Sequence, residues 1–282
     1  MTTRADLESL VDTYLEALSA RDASRLPVTP NVRYTENCQQ LRLGKGLWAT
    51  CTGDVSYRLY MADPETEQVG FFGLLTENGS PAFLALRLKA DGGRIAEAEA
   101  LVARSGNPLW GPETIGTPRP EFLEAVPQGE RVPRSSIISI ADSYFTGIEL
   151  DNGNIVPLHP DCIRLENGVQ TTSNATRRGV GRLPVKEGLS SGFYSYIQEI
   201  RDRRYPVVDE ERGIVLSVVV FEHPGTVKSV VVEGFGELEL APFTQKPSSA
   251  VIFEAFKVQG GQIRQIEAVL EFLPYGTKTG WE

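Results

Sequence analysis

Apolar residues recur at helical spacing near the start of the chain, at Leu7, Leu10, Val11, Tyr14, Leu15 and Leu18, behind a Thr3 or Asp6 cap. That spacing places all six on one face and predicts an amphipathic helix. Residues 20–26 suit a short second helix or turn, closed by Pro27 and Pro30. The period then drops to two: residues 32–37 alternate as a strand that runs into a turn. A third short helix fits residues 46–52. Strands fit 55–61, 69–76, 82–89 and 95–103, with turns at Asp63-Pro64, Asn78-Gly79 and Asp91-Gly92-Gly93.

The same order then returns. Shifted by 130 positions, residues 10–41 lie without a gap over 140–171, and Asp12, Tyr14, Pro27, Pro30, Glu36, Asn37 and Gln40 meet identical residues. Further on, Gly46-Leu47-Trp48 falls over Gly192-Phe193-Tyr194 and Asp63 over Asp209; near the repeat ends Glu99 falls over Glu267. So long a period is no solenoid, whose units run to about 20–50 residues. It predicts two tandem copies of one compact domain, residues 1–106 and 136–282. The six prolines between 107 and 135 mark a linker with one short helical turn near Glu121–Ala125. The offset grows twice in copy two, adding a polar loop near 173–188 and a strand-like stretch near 227–240. Copy two could therefore hold a deeper cavity.

Composition narrows the function classes. A chain of 282 residues, 41% of them hydrophobic, can bury two ordinary cores. The net charge of −9 disfavours a nucleic-acid or anionic-membrane surface. The one dense basic run, Arg201-Asp202-Arg203-Arg204, carries its own acid and reads as a helix end. Three cysteines without a C-x-x-C spacing support neither a disulfide framework nor a zinc site. The opening residues lack the apolar core of a signal peptide and no apolar run approaches a membrane span, so neither is expected. No P-loop, G-x-G-x-x-G after a strand, G-x-S-x-G or H-E-x-x-H occurs. The expectation is a cytoplasmic protein that needs no metal and no cofactor.

Helices followed by a run of antiparallel strands, with a helix-borne Tyr and a strand-borne acid, resemble the nuclear transport factor 2-like superfamily. Its SnoaL-like branch includes ketosteroid isomerases, scytalone dehydratases, polyketide cyclases and cofactorless lyases. The resemblance implies an α+β fold: two tandem cone-like domains, each a curved antiparallel sheet wrapped around N-terminal helices. It also implies a pocket between sheet and first helix, where carboxylates or histidines act as acid and base beside a Tyr donor. Tyr14 and Tyr144 match the helix-one Tyr of the ketosteroid isomerases. Glu36-Asn37 and Glu166-Asn167 lie where those enzymes carry a basic aspartate, with Asn in one place and the Glu facing the other side of a regular strand.

Each candidate has two readings. Tyr14 and Tyr144 either fill core volume or donate to a developing oxyanion. Glu36 and Glu166 either act as pocket bases or bond backbone or an arginine such as Arg33 or Arg164. Glu99 and Glu267 line a pocket mouth or, preferably, pair across an interface. His159 and His223 belong to copy two alone and make it the better catalytic candidate. Trp48 and Tyr194 form pocket wall or core; Asp209, beside Tyr205 and Arg204, is a turn-former or a ligand. The combined expectation is a cofactor-independent lyase, dehydratase or isomerase for a small apolar or aromatic molecule. Its catalytic group is Tyr144, His159, Glu166 and Asn167. Tyr14, Glu36, Asn37, Trp48, Tyr194, Arg204, Tyr205, Asp209 and His223 contact substrate. The competing class is a non-catalytic hydrophobic-ligand-binding or scaffold protein. Sheet-to-sheet packing is expected to make the chain a pseudo-dimer, with room for a homodimer.

Overall fold

The computed structural model describes residues 2–281. Copy one opens with α1 (Arg4–Ser19), whose N-terminus carries a reciprocal cap between Thr3 and Asp6. A 3-10 turn (Ala23–Arg25) leads to β1 (Val28–Glu36), β2 (Gln39–Leu41) and the short helix α2 (Leu47–Thr50). Four long antiparallel strands follow: β3 (Tyr57–Asp63), β4 (Gln68–Glu77), β5 (Ser80–Asp91) and β6 (Arg94–Arg104). β1 closes onto β6 in parallel, giving the order β2-β1-β6-β5-β4-β3.

Copy two repeats this plan. Its elements are α4 (Arg134–Glu149), β7 (Leu158–Glu166), β8 (Val169–Gln170), β9 (Glu199–Asp209), β10 (Ile214–His223), β13 (Ser248–Gln259) and β14 (Gln262–Pro274). The order β8-β7-β14-β13-β10-β9 is that of copy one strand for strand. The fold is α+β, two tandem cones, each sheet curled over its own helix. The added residues of copy two supply a 3-10 turn (Gly179–Arg182), the helix α5 (Val185–Leu189) and the hairpin β11 (Ser229–Val232)–β12 (Gly236–Glu239). Between the copies, α3 (Pro120–Leu123) is the short helical turn of the linker.

Three main apolar clusters result. One lies inside each cone and the third lies between the two sheets, where Leu59, Phe72 and Leu101 of copy one meet Leu216, Phe253 and Val269 of copy two. Phe122 of the linker is fully buried in that inter-sheet layer. Alternation along β6 and β14 is broken once by a bulge, so Ile95 and Ile263 face the cone interiors while Leu101 and Val269 face the other sheet. Unbroken alternation would have put Glu99 on the same side as Ile95; instead it shares the inter-sheet side with Leu101.

Polar residues lock the two sheets together by exchange. Arg4, first residue of α1, donates from two nitrogens to Asp209 at 2.6 and 2.9 Å. Arg134, first residue of α4, donates likewise to Asp63. Each aspartate also accepts a backbone N–H from the other copy, Ala62 onto Asp209 and Val208 onto Asp63. Asp209 is thus a clamp between the copies and not a substrate contact. Arg204 belongs here too: it donates to Glu99 across the sheets at 2.5 Å. The basic run itself lies on strand β9 and not at a helix end. Asp202 takes a positive φ of 54° there and the register to β10 slips, as at a bulge. Among the described residues, no helix is long and apolar enough to cross a membrane.

Candidate functional site

Matching register makes the two cone interiors comparable residue by residue. Leu75, Ala82 and Arg104 lie side by side in copy one, and Phe221, Ala250 and Phe272 lie side by side in copy two. Two residues beyond Leu75 and Phe221 come Glu77 and His223, so His223 takes the place of Glu77. By the 130 offset Arg164 takes the place of Tyr34. Tyr194 and Tyr196 in the 3-10 turn Phe193–Tyr196 take those of Trp48 and Thr50 in α2.

The interior of copy one is packed and satisfied. The Trp48 indole donates to the Tyr14 hydroxyl at 3.1 Å, and both side chains are buried. Glu36 accepts from the Tyr34 hydroxyl at 2.9 Å, from the Leu47 backbone N–H at 2.7 Å and from Arg104 at 3.1 Å. It thereby caps α2 and holds strand to helix. Arg104 and Thr50 both donate to Glu77 at 2.6 Å. Tyr14, Glu36 and Trp48 therefore form core and structural network rather than a substrate surface.

Copy two encloses a hollow of about 380 Å³. Arg164 stands at its floor and is only 6% exposed. Its guanidinium donates to the Tyr144 hydroxyl at 2.5 Å, the Tyr194 hydroxyl at 2.7 Å and Thr171 Oγ1 at 3.0 Å. It also pairs with Glu166 at 3.2 Å. Arginine supplies a rigid, permanently charged fork, which suits one cation shared among four oxygens. Glu254 is buried beside this group; burial, countered by the charge of Arg164 and reinforced by that of Glu166, pushes its carboxyl up to about 8. A largely protonated acid thus neighbours the Arg164–Glu166 pair at neutral pH. Burial raises the Tyr144 and Tyr194 phenols as well, against the pull of Arg164.

The walls are aromatic and apolar: Phe193, Tyr194, Tyr196, Phe221, Phe243 and Phe272 all line the hollow, as does His223. His223 stacks on Tyr196 with centroids 5.5 Å apart. Burial pushes its imidazole down to about 4, although the nearby Glu222 carboxylate acts the other way. It is therefore neutral at pH 7. The inserted segments close the hollow, with residues 177–181 on one side and 238–244 on the other. They hold each other through a small cluster of their own, Val230, Val232 and Leu240 against Val180, Phe193 and Tyr196. Among the described residues, no three of His, Cys, Asp or Glu are grouped as metal ligands.

Of the residues expected at the site, the structure brings together Glu166, Tyr194 and His223 as lining and Tyr144 through Arg164. His159 is not among the lining residues; near the start of β7 its Nδ1 accepts the Asp161 backbone N–H at 3.2 Å. Asn167 is fully buried in the β7–β8 turn at φ 45°, where its amide bonds the backbone of Leu109 and Leu270. Asn37 does the same with Val102 at φ 47°. Both are backbone ties, with no amide group turned to a substrate. At the next position Gly168 passes so close to the linker that a Cβ would meet the Gly111 carbonyl at 2.2 Å. Tyr205 donates to Asp142 on α4 at 2.6 Å, as Tyr60 does to Asp12 on α1, so it clamps helix to sheet. Glu99 and Glu267 lie between the sheets, Glu267 accepting from Tyr57 of copy one.

The sequence pattern marks Arg164 only as a partner for a carboxylate, and Glu254 not at all. An arginine two residues before the repeated Glu, where copy one has Tyr34, was the available signal for the first. An acid inside the apolar run Ala250 to Phe256 was the signal for the second.

A family model described as "Domain of unknown function (DUF8021)" matches residues 130–270, half of the chain. Similar solved structures include an NTF2-like protein of unknown function from Cytophaga hutchinsonii, 12% identical, covering 36% of this chain and 95% of that one at TM-score 0.30. An LEH-like epoxide hydrolase of M. tuberculosis is 15% identical, covering 35% of this chain and 84% of its own at TM-score 0.28. AusH from Aspergillus nidulans is 10% identical, covering 49% and 86% at TM-score 0.29. No curated protein matches the chain.

Proposed function

This chain belongs to the family of the domain of unknown function DUF8021, and from that premise we propose that its second copy is a cofactor-independent lyase, dehydratase or isomerase. The substrate is a small apolar or aromatic molecule bearing an oxygen, and the chemistry is acid/base. What carries this reading is the floor of the hollow, where a buried cation, two phenols and a carboxylate converge under an aromatic wall. Tyr194 accepts from Arg164, which leaves its own O–H to donate into the hollow. Negative charge developing on a substrate oxygen there would be stabilised, a contribution of about 10²–10³-fold. Glu166, held in place by Arg164, would remove the proton, worth roughly 10²–10⁴-fold. Copy one, with its interior filled, serves as the structural partner.

The test begins with a thermal-shift screen of aromatic and terpenoid compounds, followed by turnover assays on those that stabilise the protein. With a substrate in hand, Glu166→Gln is expected to lower kcat at least about a hundredfold with KM little changed. His159→Ala is expected to leave both unaltered. Full activity in Glu166→Gln removes the assignment. One observation favours a second reading, a binding hollow without turnover: Arg164 and Glu166 already neutralise each other. Compounds that bind tightly and are never converted would support it.

A further inference from the structure

The orphaned imidazole of His223 is the strongest unexplained feature of the hollow. Its Nδ1 is buried and makes no hydrogen bond, and the residue is 4% exposed. A buried polar atom without a partner carries a desolvation penalty that folding does not recover. The equivalent position in copy one has the partners that His223 lacks. In copy one the equivalent acid, Glu77, is satisfied by Thr50 and Arg104. In copy two those two positions hold Tyr196, stacked on His223 at 5.5 Å, and Phe272, tilted against it at 5.8 Å. The imidazole is thus packed against two aromatic rings and lines the hollow without a protein hydrogen-bond partner.

The place of His223 along the sheet sets the shape of what could reach it. Glu166 lies level with Ala268, Glu254 and Ser217 across four strands, and His223 comes six residues after Ser217 on β10. The interval is lined by Phe221, Ala250, Ile252 and Leu270. The hollow therefore has polar groups at the Arg164 end and at the His223 end, with an apolar stretch between. A neutral imidazole cannot balance a charge, but it can hydrogen-bond an uncharged oxygen in either tautomer.

We propose that the hollow of copy two receives an elongated, ring-bearing molecule whose outer end carries an uncharged hydroxyl or keto oxygen bonded to the His223 imidazole. This rests on the hollow being a ligand site, as proposed above, and not on catalysis there. Biphenyl and 4-hydroxybiphenyl probe it directly, measured by equilibrium dialysis on the full chain. The hydroxyl is expected to tighten binding by about tenfold, the worth of one well-made hydrogen bond. In His223→Phe that advantage, taken as the ratio of the two affinities within the variant, is expected to fall within about twofold. An advantage that persists in His223→Phe would place the hydroxyl at the Arg164 floor and overturn the proposal, as would failure of both compounds to bind the wild type. The ¹⁵N shift of the His223 imidazole in the unmutated protein decides the same point without relying on the variant's fold: it must move with 4-hydroxybiphenyl and not with biphenyl. Glu166→Gln is expected to keep the hydroxyl advantage, so a failed turnover test leaves this inference standing and a lost advantage in His223→Phe leaves catalysis open.

Discussion

Tyr34 and Arg164 occupy one position of the repeat, yet they give the two interiors different fates. Tyr34 spends its hydroxyl on Glu36 and lets Trp48 reach Tyr14 directly. Arg164 instead stands between Tyr144 and Tyr194 and bridges them. Removing it strands a half-buried carboxylate and three hydroxyls, so Arg164→Met is expected to cost about 3–5 kcal/mol, read by urea denaturation. A loss below about 1 kcal/mol would mean the hub is not what holds the floor. Glu267 supplies a pH effect. Burial pushes its carboxyl up to about 7, although the Tyr57 hydroxyl bond and the Arg119 charge pull the other way. The folded state then binds this proton more tightly than the unfolded chain does. The resulting stability is present below about pH 4.5 and is lost as pH rises through 7. Glu267→Gln is expected to flatten the fall of Tm between pH 5 and 7 and to raise Tm at pH 8. Glu254 shifts in the same direction, so the comparison is the difference between variant and wild type; identical slopes would refute the assignment.

At the scale of elements, the helices, strands and linker turn were legible because local periodicity and turn residues dictate them. The roles of Glu36-Asn37 and Glu166-Asn167 were not. The pair closes a hairpin in which Glu faces the cone and Asn adopts a left-handed backbone that ties the turn to the last strand. Alternation shows that the two side chains diverge, but not which backbone groups lie opposite. Asn167→Ala is expected to cost about 2–4 kcal/mol, from three lost bonds to buried backbone and a strained φ. The shift in urea midpoint at constant m measures it. A cost under about 0.5 kcal/mol would show that solvent or another group takes over. Asp202 is a related case: charged residues in a row read as a helix end, whereas register slippage on β9 lets each arginine find a different acid.

Across the whole molecule the repeat becomes an approximate two-fold exchange, as in a symmetric dimer fused into one chain. The C-terminal tail adds to it by crossing to copy one, where the Trp281 indole donates to Thr35 at 2.9 Å under the Arg33 guanidinium. Arg4→Ala leaves Asp209 buried without its cation, and Arg134→Ala does the same to Asp63. Each is expected to destabilise by about 3–5 kcal/mol, in similar measure because each strands one buried aspartate, the extra Arg4 pairs with Glu8 and Glu211 being more exposed. Calorimetry on both variants checks this, and markedly unequal losses would show that the exchange is not symmetric. The doubled pattern, the order of elements and the extra length of copy two were all determined by the sequence itself, since periodicity, turn chemistry and offset are local properties. Only the tertiary structure decided which cone stays hollow and which aspartates clamp. A side chain's burial and partners depend on what register delivers from far away, and Arg4 and Asp209 meet across 205 positions of chain.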